Sequence, residues 1–219
     1  MHAPRLSDRL DELCDPVLDH DVEWDGVLVT GAIDITRGAE HVEITGCHLQ
    51  GAQLTGCELD RVSMVDVILD DCELSGALLQ EARLSRVQFN RCRMSGFVIS
   101  QATAEHVGFT DCKLDAANFR MSSWRNADWL RCELPSADFT EATLKDVRIL
   151  ACNLTGGDVT KVRVDGLKLH GSEVTDLRGA DWLRGAVVGS DQIIALAGSL
   201  FAALKITVDD DDGDDEQPG

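Results

Sequence analysis

Five cysteines recur at a single spacing and are the first candidates for chemistry in this chain. They lie twenty residues apart: Cys72, Cys92, Cys112, Cys132 and Cys152. If twenty residues form one coil of a regular fold, the five sulfurs stack in a straight column. Zinc needs ligands that converge on a tetrahedron, and parallel side chains in a column do not converge. Their parallel Cβ vectors also suit a disulfide poorly. We therefore interpret these cysteines as small core residues and predict no metal site and no cofactor.

The histidines give no pattern that favours catalysis. The chain has six, at positions 2, 20, 41, 48, 106 and 170, and their spacing matches no metal-binding motif. Glycines fall at turn positions rather than in a phosphate-binding loop. His106 has Glu105 beside it, but an exposed histidine next to a carboxylate is an ordinary surface feature. We predict that the protein is not an enzyme and has no catalytic residues.

The charge of the chain is concentrated at its two ends. Of the net charge of −19, residues 1–40 contribute −7 (ten acids, three bases) and residues 208–219 contribute −7 (seven acids, no base). The segment between them holds 22 acids and 17 bases, a net of −5. Such a protein repels nucleic acid and attracts a basic protein surface. Residues 209–219 have too little apolar content to fold, and we predict a disordered acidic tail.

The sequence predicts neither a membrane-spanning segment nor a signal peptide. No run of eighteen apolar residues exists, so the sequence predicts no transmembrane helix and no membrane partner. The first eight residues, Met1 to Asp8, lack the apolar stretch of a signal peptide. Eight cysteines without such a signal are typical of reduced thiols in the cytoplasm, where we place the protein.

A five-residue period must position all of these side chains. Every fifth residue from Ile44 to Val174 is apolar, without an insertion or deletion, and a small or β-branched residue lies two positions earlier. Neither the helical period of 3.6 nor the strand period of 2 sustains this pattern. A short, fixed period of this length indicates a solenoid. Trp124 lies twenty residues after Ala104, which keeps the core volume constant if four pentads form one coil.

Several triplets resemble the repeat unit of the pentapeptide repeat proteins. They are Ala-Asn-Phe at 117–119, Ala-Asp-Trp at 127–129, Ala-Asp-Phe at 137–139 and the Cys-Glu-Leu variants. The resemblance covers residues 42–189 and implies an all-β solenoid, a right-handed quadrilateral β-helix of pentapeptide repeats with just under seven coils. Glycine two positions after many central residues predicts type II turns, which need a positive φ there. Corners that carry Asp, Arg, Glu or Asn instead are expected to use other turn types.

Both ends of the solenoid need caps, because an open end exposes core and unpaired backbone groups. We predict an N-terminal cap over residues 1–41, made of an imperfect first coil and a short helix. The helix is indicated by the spacing of Leu6, Leu10, Leu13 and Val17. At the other end, residues 190–208 are predicted to form a C-terminal helix, through about Leu204, and a short extension.

Apolar residues cover more than one face of the predicted C-terminal helix. A helix that only caps the last coil should keep a polar face, and this one is too short to span a membrane. The run Asp-Leu-Arg-Gly-Ala at 176–180 and the following helix are similar to the element through which gyrase-binding pentapeptide repeat proteins dimerise. We therefore predict a homodimer, while a cap that folds alone remains an alternative. The predicted dimerisation residues are Ile193, Leu196, Leu200 and Phe201.

The same resemblance implies a partner. Family members that confer quinolone resistance bind DNA gyrase by DNA mimicry, presenting a rod with the width and charge of duplex DNA. When outward residues are sorted by a period of twenty, two adjacent faces carry a net charge of −6. The partner-binding candidates on these faces are Glu58, Asp60, Glu73, Glu81, Asp115, Glu133, Asp138, Glu141 and Asp158. The alternative is a structural interaction scaffold with an unidentified partner.

Overall fold

The computed structural model of this chain describes residues 1–35 and 38–207. These residues form a β-solenoid of about eight turns with one short C-terminal helix. The predicted acidic tail at 209–219 lies outside the described residues. The strands are β1 (Asp11–Glu12), β2 (Val17–Leu18), β3 (Glu23–Asp25), β4 (Val27–Ala32), β5 (Asp34–Ile35), β6 (Ala39–Glu40), β7 (Glu43–Thr45), β8 (His48–Gln53), β9 (Leu59–Asp60), β10 (Ser63–Asp70), β11 (Arg83–Asn90), β12 (Thr103–Thr110), β13 (Ser123–Arg125), β14 (Asp128–Leu130), β15 (Thr143–Lys145), β16 (Arg148–Leu150) and β17 (Arg163–Asp165).

One coil contains twenty residues, as the sequence predicts. Parallel pairing joins seven of the eight residues of β10 to the residues twenty positions later in β11, and β11 to β12 in the same way. The solenoid therefore has four faces, which we number by their central columns: the first contains Ile44, the second Leu49, the third Leu54 and the fourth Leu59. Residues at corresponding positions of successive coils stack directly upon one another.

The interior is filled by the two inward positions of each pentad. Trp124 lies directly over Ala104, and both are fully buried, which confirms the predicted exchange of volume between coils. Aromatic rings also stack from coil to coil, with centroids 4.8 Å apart for Phe89 and Phe109 and 4.6 Å for Phe119 and Phe139. Burying a large apolar side chain contributes ~1.5–3 kcal/mol, so this column of side chains is the main source of stability.

The corners use a positive φ whether or not they carry glycine. Gly76 and Gly96 have φ values of 68° and 67°, as type II turns require, but Arg91 and Ala116 adopt 53° and 52°. The positive φ is therefore common to these corners, while the turn varies: a backbone hydrogen bond across three residues closes the turns that contain Gly76, Gly96 and Ala116, whereas the corner at Arg91 is a bend. The physical reason for the common positive φ is the fixed stacking of the coils, since every coil must bend at the same place to keep its inward residues aligned. A non-glycine residue in this region costs ~1–2 kcal/mol, which core packing offsets.

The helix predicted at the N-terminus is wrong. Residues 11–18 contain β1 and β2, separated by a bend at Cys14 and Asp15, and these strands pair in parallel with β4 and β5. The pairing spans sixteen residues at Asp11 and Val27 and seventeen at Val17 and Asp34, so the first coil is shorter than the others. Pairing with the next coil satisfies the backbone of this segment, and Pro16 disfavours a helix because it lacks the N–H that the helix would need there.

Helix α1 (Ile193–Leu204) closes the other end of the solenoid, preceded by 3-10 turns at Ala180–Trp182 and Ser190–Gln192. The buried amide of Gln192 donates to the carbonyl oxygens of Leu169 (2.7 Å) and Ser172 (2.6 Å), so it satisfies acceptors that the last coil would leave open. Within the described residues, no helix has the length and apolar character needed to cross a bilayer.

Candidate functional site

The acidic candidates lie on the third and fourth faces, which meet along one corner of the solenoid. On the third face, Glu73, Arg93, Lys113 and Glu133 stack in successive coils through parallel bridges. On the fourth face, Asp138 stacks beneath Asp158 in the same way. Glu81, Glu133 and Glu141 are exposed and the other six candidates are partly buried. All nine side chains thus belong to a continuous two-face surface, which we call the acidic stripe.

Four acids of the stripe are already paired with bases. The shortest side-chain distances are 3.0 Å for Glu141 to Lys161 and 3.1 Å for Asp138 to Arg120. The pairs of Glu73 with Arg93 and of Asp158 with Arg178 are looser, at 3.9 and 3.4 Å. The hydrogen bond and the charge of Lys161 lower the pKa of Glu141, so this acid stays ionised. Exposed pairs of this kind contribute only ~0–1 kcal/mol to stability. They also weaken the negative electrostatic potential that the stripe presents to a partner protein.

The structure adds one acid and one base to the stripe. Sorting by residue number gives eleven acids and five bases on the two faces. The pairing of Asp158 with Arg178 adds a sixth base, and the pairing of Asp60 with Glu40 adds a twelfth acid, so the net charge stays at −6. Asp115 and Glu133 accept hydrogen bonds from neutral groups, Ser95 Oγ at 2.9 Å and Asn153 Nδ2 at 3.0 Å, and these contacts do not compensate the carboxylate charge.

Ion pairs that connect adjacent coils, which we call charge ladders, are absent from the predictions made from the sequence. Asp71 pairs with Arg91 at 2.8 Å and Asp111 with Arg131 at 2.7 Å, each across one coil. Each arginine lowers the pKa of the carboxyl it contacts, chiefly by donating a side-chain hydrogen bond. The signal was present in the sequence, because opposite charges twenty residues apart must meet once the coil length is known. These ladders neutralise the corner between the second and third faces.

A second acidic region lies on the first coils, outside the predicted stripe. Residues 1–35 hold nine acids and only two bases. Asp11, Asp15, Asp21 and Asp25 are all exposed, and Glu23 in β3 pairs with Glu43 in β7, so like charges stack on neighbouring coils. The charge count of the sequence predicts an acidic N-terminal end, but the set of candidate residues does not include it.

An N-terminal arm, residues 1–5, lies against the outer corner of three coils. The backbone N–H of Arg5 donates to Asp66 Oδ1 (2.9 Å) and that of His2 to His106 Nδ1 (3.2 Å). Gly108 has no side chain, and the end of Met1 fills the vacant space so closely that an added Cβ would lie 3.2 Å from Met1 Cε. No sequence pattern pointed to this contact.

The C-terminal helix divides its apolar residues between two surfaces. Leu196 is buried in the core and Leu200 is partly buried against it, so both contribute to the cap, and their predicted place in a dimer contact stays a prediction. Ile193 and Phe201 are exposed, at 60% and 41%, as a contact surface requires. Ile194 is 88% exposed and Leu204 60% exposed. Ile193, Ile194, Phe201 and Leu204 form the exposed apolar surface of this helix.

Stacked coils whose interior is filled by side chains define a repeat solenoid. The family model for the pentapeptide repeat region matches residues 42–119 and 82–159, which together exceed half of the chain. This chain belongs to the pentapeptide repeat family.

Comparison with individual proteins adds little beyond the family. No curated protein matches the chain. Among solved structures, trypsin-treated QnrB1, a plasmid-mediated fluoroquinolone resistance protein, is 18% identical and covers 90% of this chain and 100% of its own, with a TM-score of 0.46. HetL, involved in heterocyst differentiation regulation in the cyanobacterium Nostoc sp. strain PCC 7120, is 16% identical and covers 72% and 89%, with a TM-score of 0.20. Similarity at this level does not extend to a binding partner.

Proposed function

We propose that this protein is a non-enzymatic binding rod whose acidic stripe contacts a basic protein surface, with DNA gyrase as the partner, which it binds by resembling DNA. The observation that carries the proposal is the continuity of the stripe over two adjacent faces. Its net charge of −6 attracts a surface that normally binds duplex DNA. Asp115 and Glu133 lie on the third face with neutral hydrogen-bond partners, so they are the acids that such a surface would contact first.

The test is a gyrase supercoiling and cleavage assay at increasing protein concentration, with and without a fluoroquinolone. The double variant Asp115→Lys, Glu133→Lys reverses charge on the stripe. The matched control Asp25→Lys, Glu43→Lys makes the same change in charge on the exposed first face. The parent and the control should alter gyrase activity, and the stripe variant should not. Added salt should weaken the effect, because it screens exposed charges.

The alternative is a scaffold that binds an unidentified partner without mimicking DNA. The pairing of Glu73, Asp138, Glu141 and Asp158 with bases favours this alternative, because compensated charges attract a basic surface less strongly. Equal behaviour of the stripe variant and its control, or no change in supercoiling or cleavage with the parent protein, would remove the gyrase proposal and leave the scaffold.

A further inference from the structure

The column of five cysteines places five sulfurs in one line along the solenoid. All five are at most 3% exposed. Each Sγ lies 3.3–3.5 Å from two carbonyl oxygens, one two residues earlier and one 23 residues earlier. Identical contacts at every level mean that the five side chains share one orientation and stack in parallel.

Parallel stacking fixes the separation of the sulfurs. Side chains in one orientation repeat at the spacing of the strands that carry them, which is ~4.8 Å. Neighbouring residues of the column are in direct contact, since the backbone N–H of Cys132 donates to Cys152 Sγ at 3.3 Å. Two metal–thiolate bonds of ~2.3 Å laid end to end span ~4.6 Å, close to the spacing of the column.

We propose that adjacent sulfurs of this column bind a soft monovalent cation, copper(I) or silver(I), in a linear S–metal–S arrangement along the solenoid axis. Thiolate sulfur is the ligand that selects such ions. The described residues contain no cluster of three or more metal-binding side chains, but a linear site needs only two. The reaction is M⁺ + 2 RSH → [M(SR)₂]⁻ + 2 H⁺. Five sulfurs used in adjacent pairs accommodate at most two ions.

Binding of the cation requires two adjacent sulfurs, and burial of a single cysteine is not sufficient. Burial raises the pKa of the isolated thiol of Cys57 to about 12, so a buried cysteine keeps its proton at neutral pH unless a metal displaces it. Cys47 is equally buried and has similar carbonyl contacts, 3.1 and 3.6 Å from Sγ. Its neighbours in the repeat are Val27 and Val67, so it has no second sulfur above or below. Cys47 and Cys57 therefore supply the control for a test.

The experiment uses the full chain with Cys14→Ser, which removes the exposed thiol. Replacing Cys92 and Cys132 with alanine leaves sulfurs only on alternate coils, ~9.6 Å apart. The control replaces Cys47 and Cys57 with alanine and leaves the column intact. Silver(I) is added under anaerobic conditions to the folded protein and, separately, during refolding from urea. Native mass spectrometry counts the bound ions. We expect two in the parent and in the control, and none in the variant with the interrupted column.

Single variants test the pairing directly. Cys112→Ala leaves two adjacent pairs and should still bind two ions, whereas Cys92→Ala leaves three sulfurs in a row and should bind one. Alanine occupies the same column at position 52, so the solenoid tolerates it there, and circular dichroism checks each fold. The proposal is overturned if the interrupted column binds as many ions as the control, or if the parent binds none in either procedure. Loss of two hydrogens per pair without added silver mass would indicate disulfide formation and would also overturn it.

Discussion

At the scale of single residues, the corners show how the repeat imposes backbone geometry on residues that do not favour it. Ala116, at the corner between the third and fourth faces, is exposed and has a φ of 52°. Ala151, at the corner between the second and third faces, has the same φ. The neighbouring coils determine it, because the N–H of Ala116 donates to the carbonyl oxygen of Pro135 at 2.9 Å. Backbone pairing and core alignment thus override the local preference of the residue.

This conflict makes a prediction about stability. Ala116→Gly removes the steric cost of the left-handed conformation, ~1–2 kcal/mol, and adds chain entropy to the unfolded state, ~0.4–1 kcal/mol. The net result should be a free energy of unfolding higher by about 0.5–1 kcal/mol. Ala117→Gly is the control: Ala117 is fully buried, so the loss of its methyl group should destabilise the protein. Urea unfolding measures both, and a destabilised Ala116→Gly would contradict the account of the corners.

At the scale of elements, the sequence predicts the regular coils well and their ends poorly. The period of five determines which residues face inward, and the stacking of Trp124 on Ala104 follows from it. The N-terminal segment has no such constraint. The spacing of Leu6, Leu10 and Leu13 suits a helix, but pairing of β1 with β4 decides the outcome, and no local signal encodes that long-range contact. The arm that places Met1 against Gly108 could not be predicted for the same reason.

The N-terminal arm should respond to pH through His106. Burial lowers the pKa of His106, and the nearby positive groups of His2, the amino terminus and Arg86 act in the same direction, against Glu105. Because the docked state disfavours the protonated ring, the stability of docking is present at neutral pH and is lost as the pH falls below the ordinary value of ~6.5. Protonation also removes the acceptor that Nδ1 offers to the N–H of His2.

Nuclear Overhauser contacts between the Met1 methyl group and Gly108 report on the docked arm. We expect them at pH about 7.5 and expect their loss near pH 5 in the parent protein. His106→Gln keeps a side-chain acceptor that does not titrate, so this variant should retain the contacts at both values. If the contacts persist in the parent at the lower pH, titration of His106 does not control the arm.

At the scale of the whole molecule, charge and apolar surface act in opposite directions on self-association. Each chain carries −19, with seven of its acids in residues 208–219, directly after α1 in the sequence. Two copies that meet through α1 bring these charges together, while burial of Ile194 and Phe201 favours the contact. A dimer joined at its C-terminal ends would place the acidic first coils at the two distal ends of a longer rod.

This arrangement predicts a dimer at tens of micromolar concentration that tightens with added salt, because salt screens the repulsion between the C-terminal acids and leaves the apolar contact in place.

The double variant Ile194→Asp, Phe201→Asp should be a monomer with an unchanged circular dichroism spectrum, since neither residue packs against the last coil. Met121→Asp, which changes an exposed apolar residue on the solenoid body, should remain dimeric. Leu196→Asp should instead lower the melting temperature, because it buries a carboxyl in the cap. Multi-angle light scattering at low and high salt separates these outcomes. A monomeric parent protein under both conditions would mean that α1 serves as a cap alone.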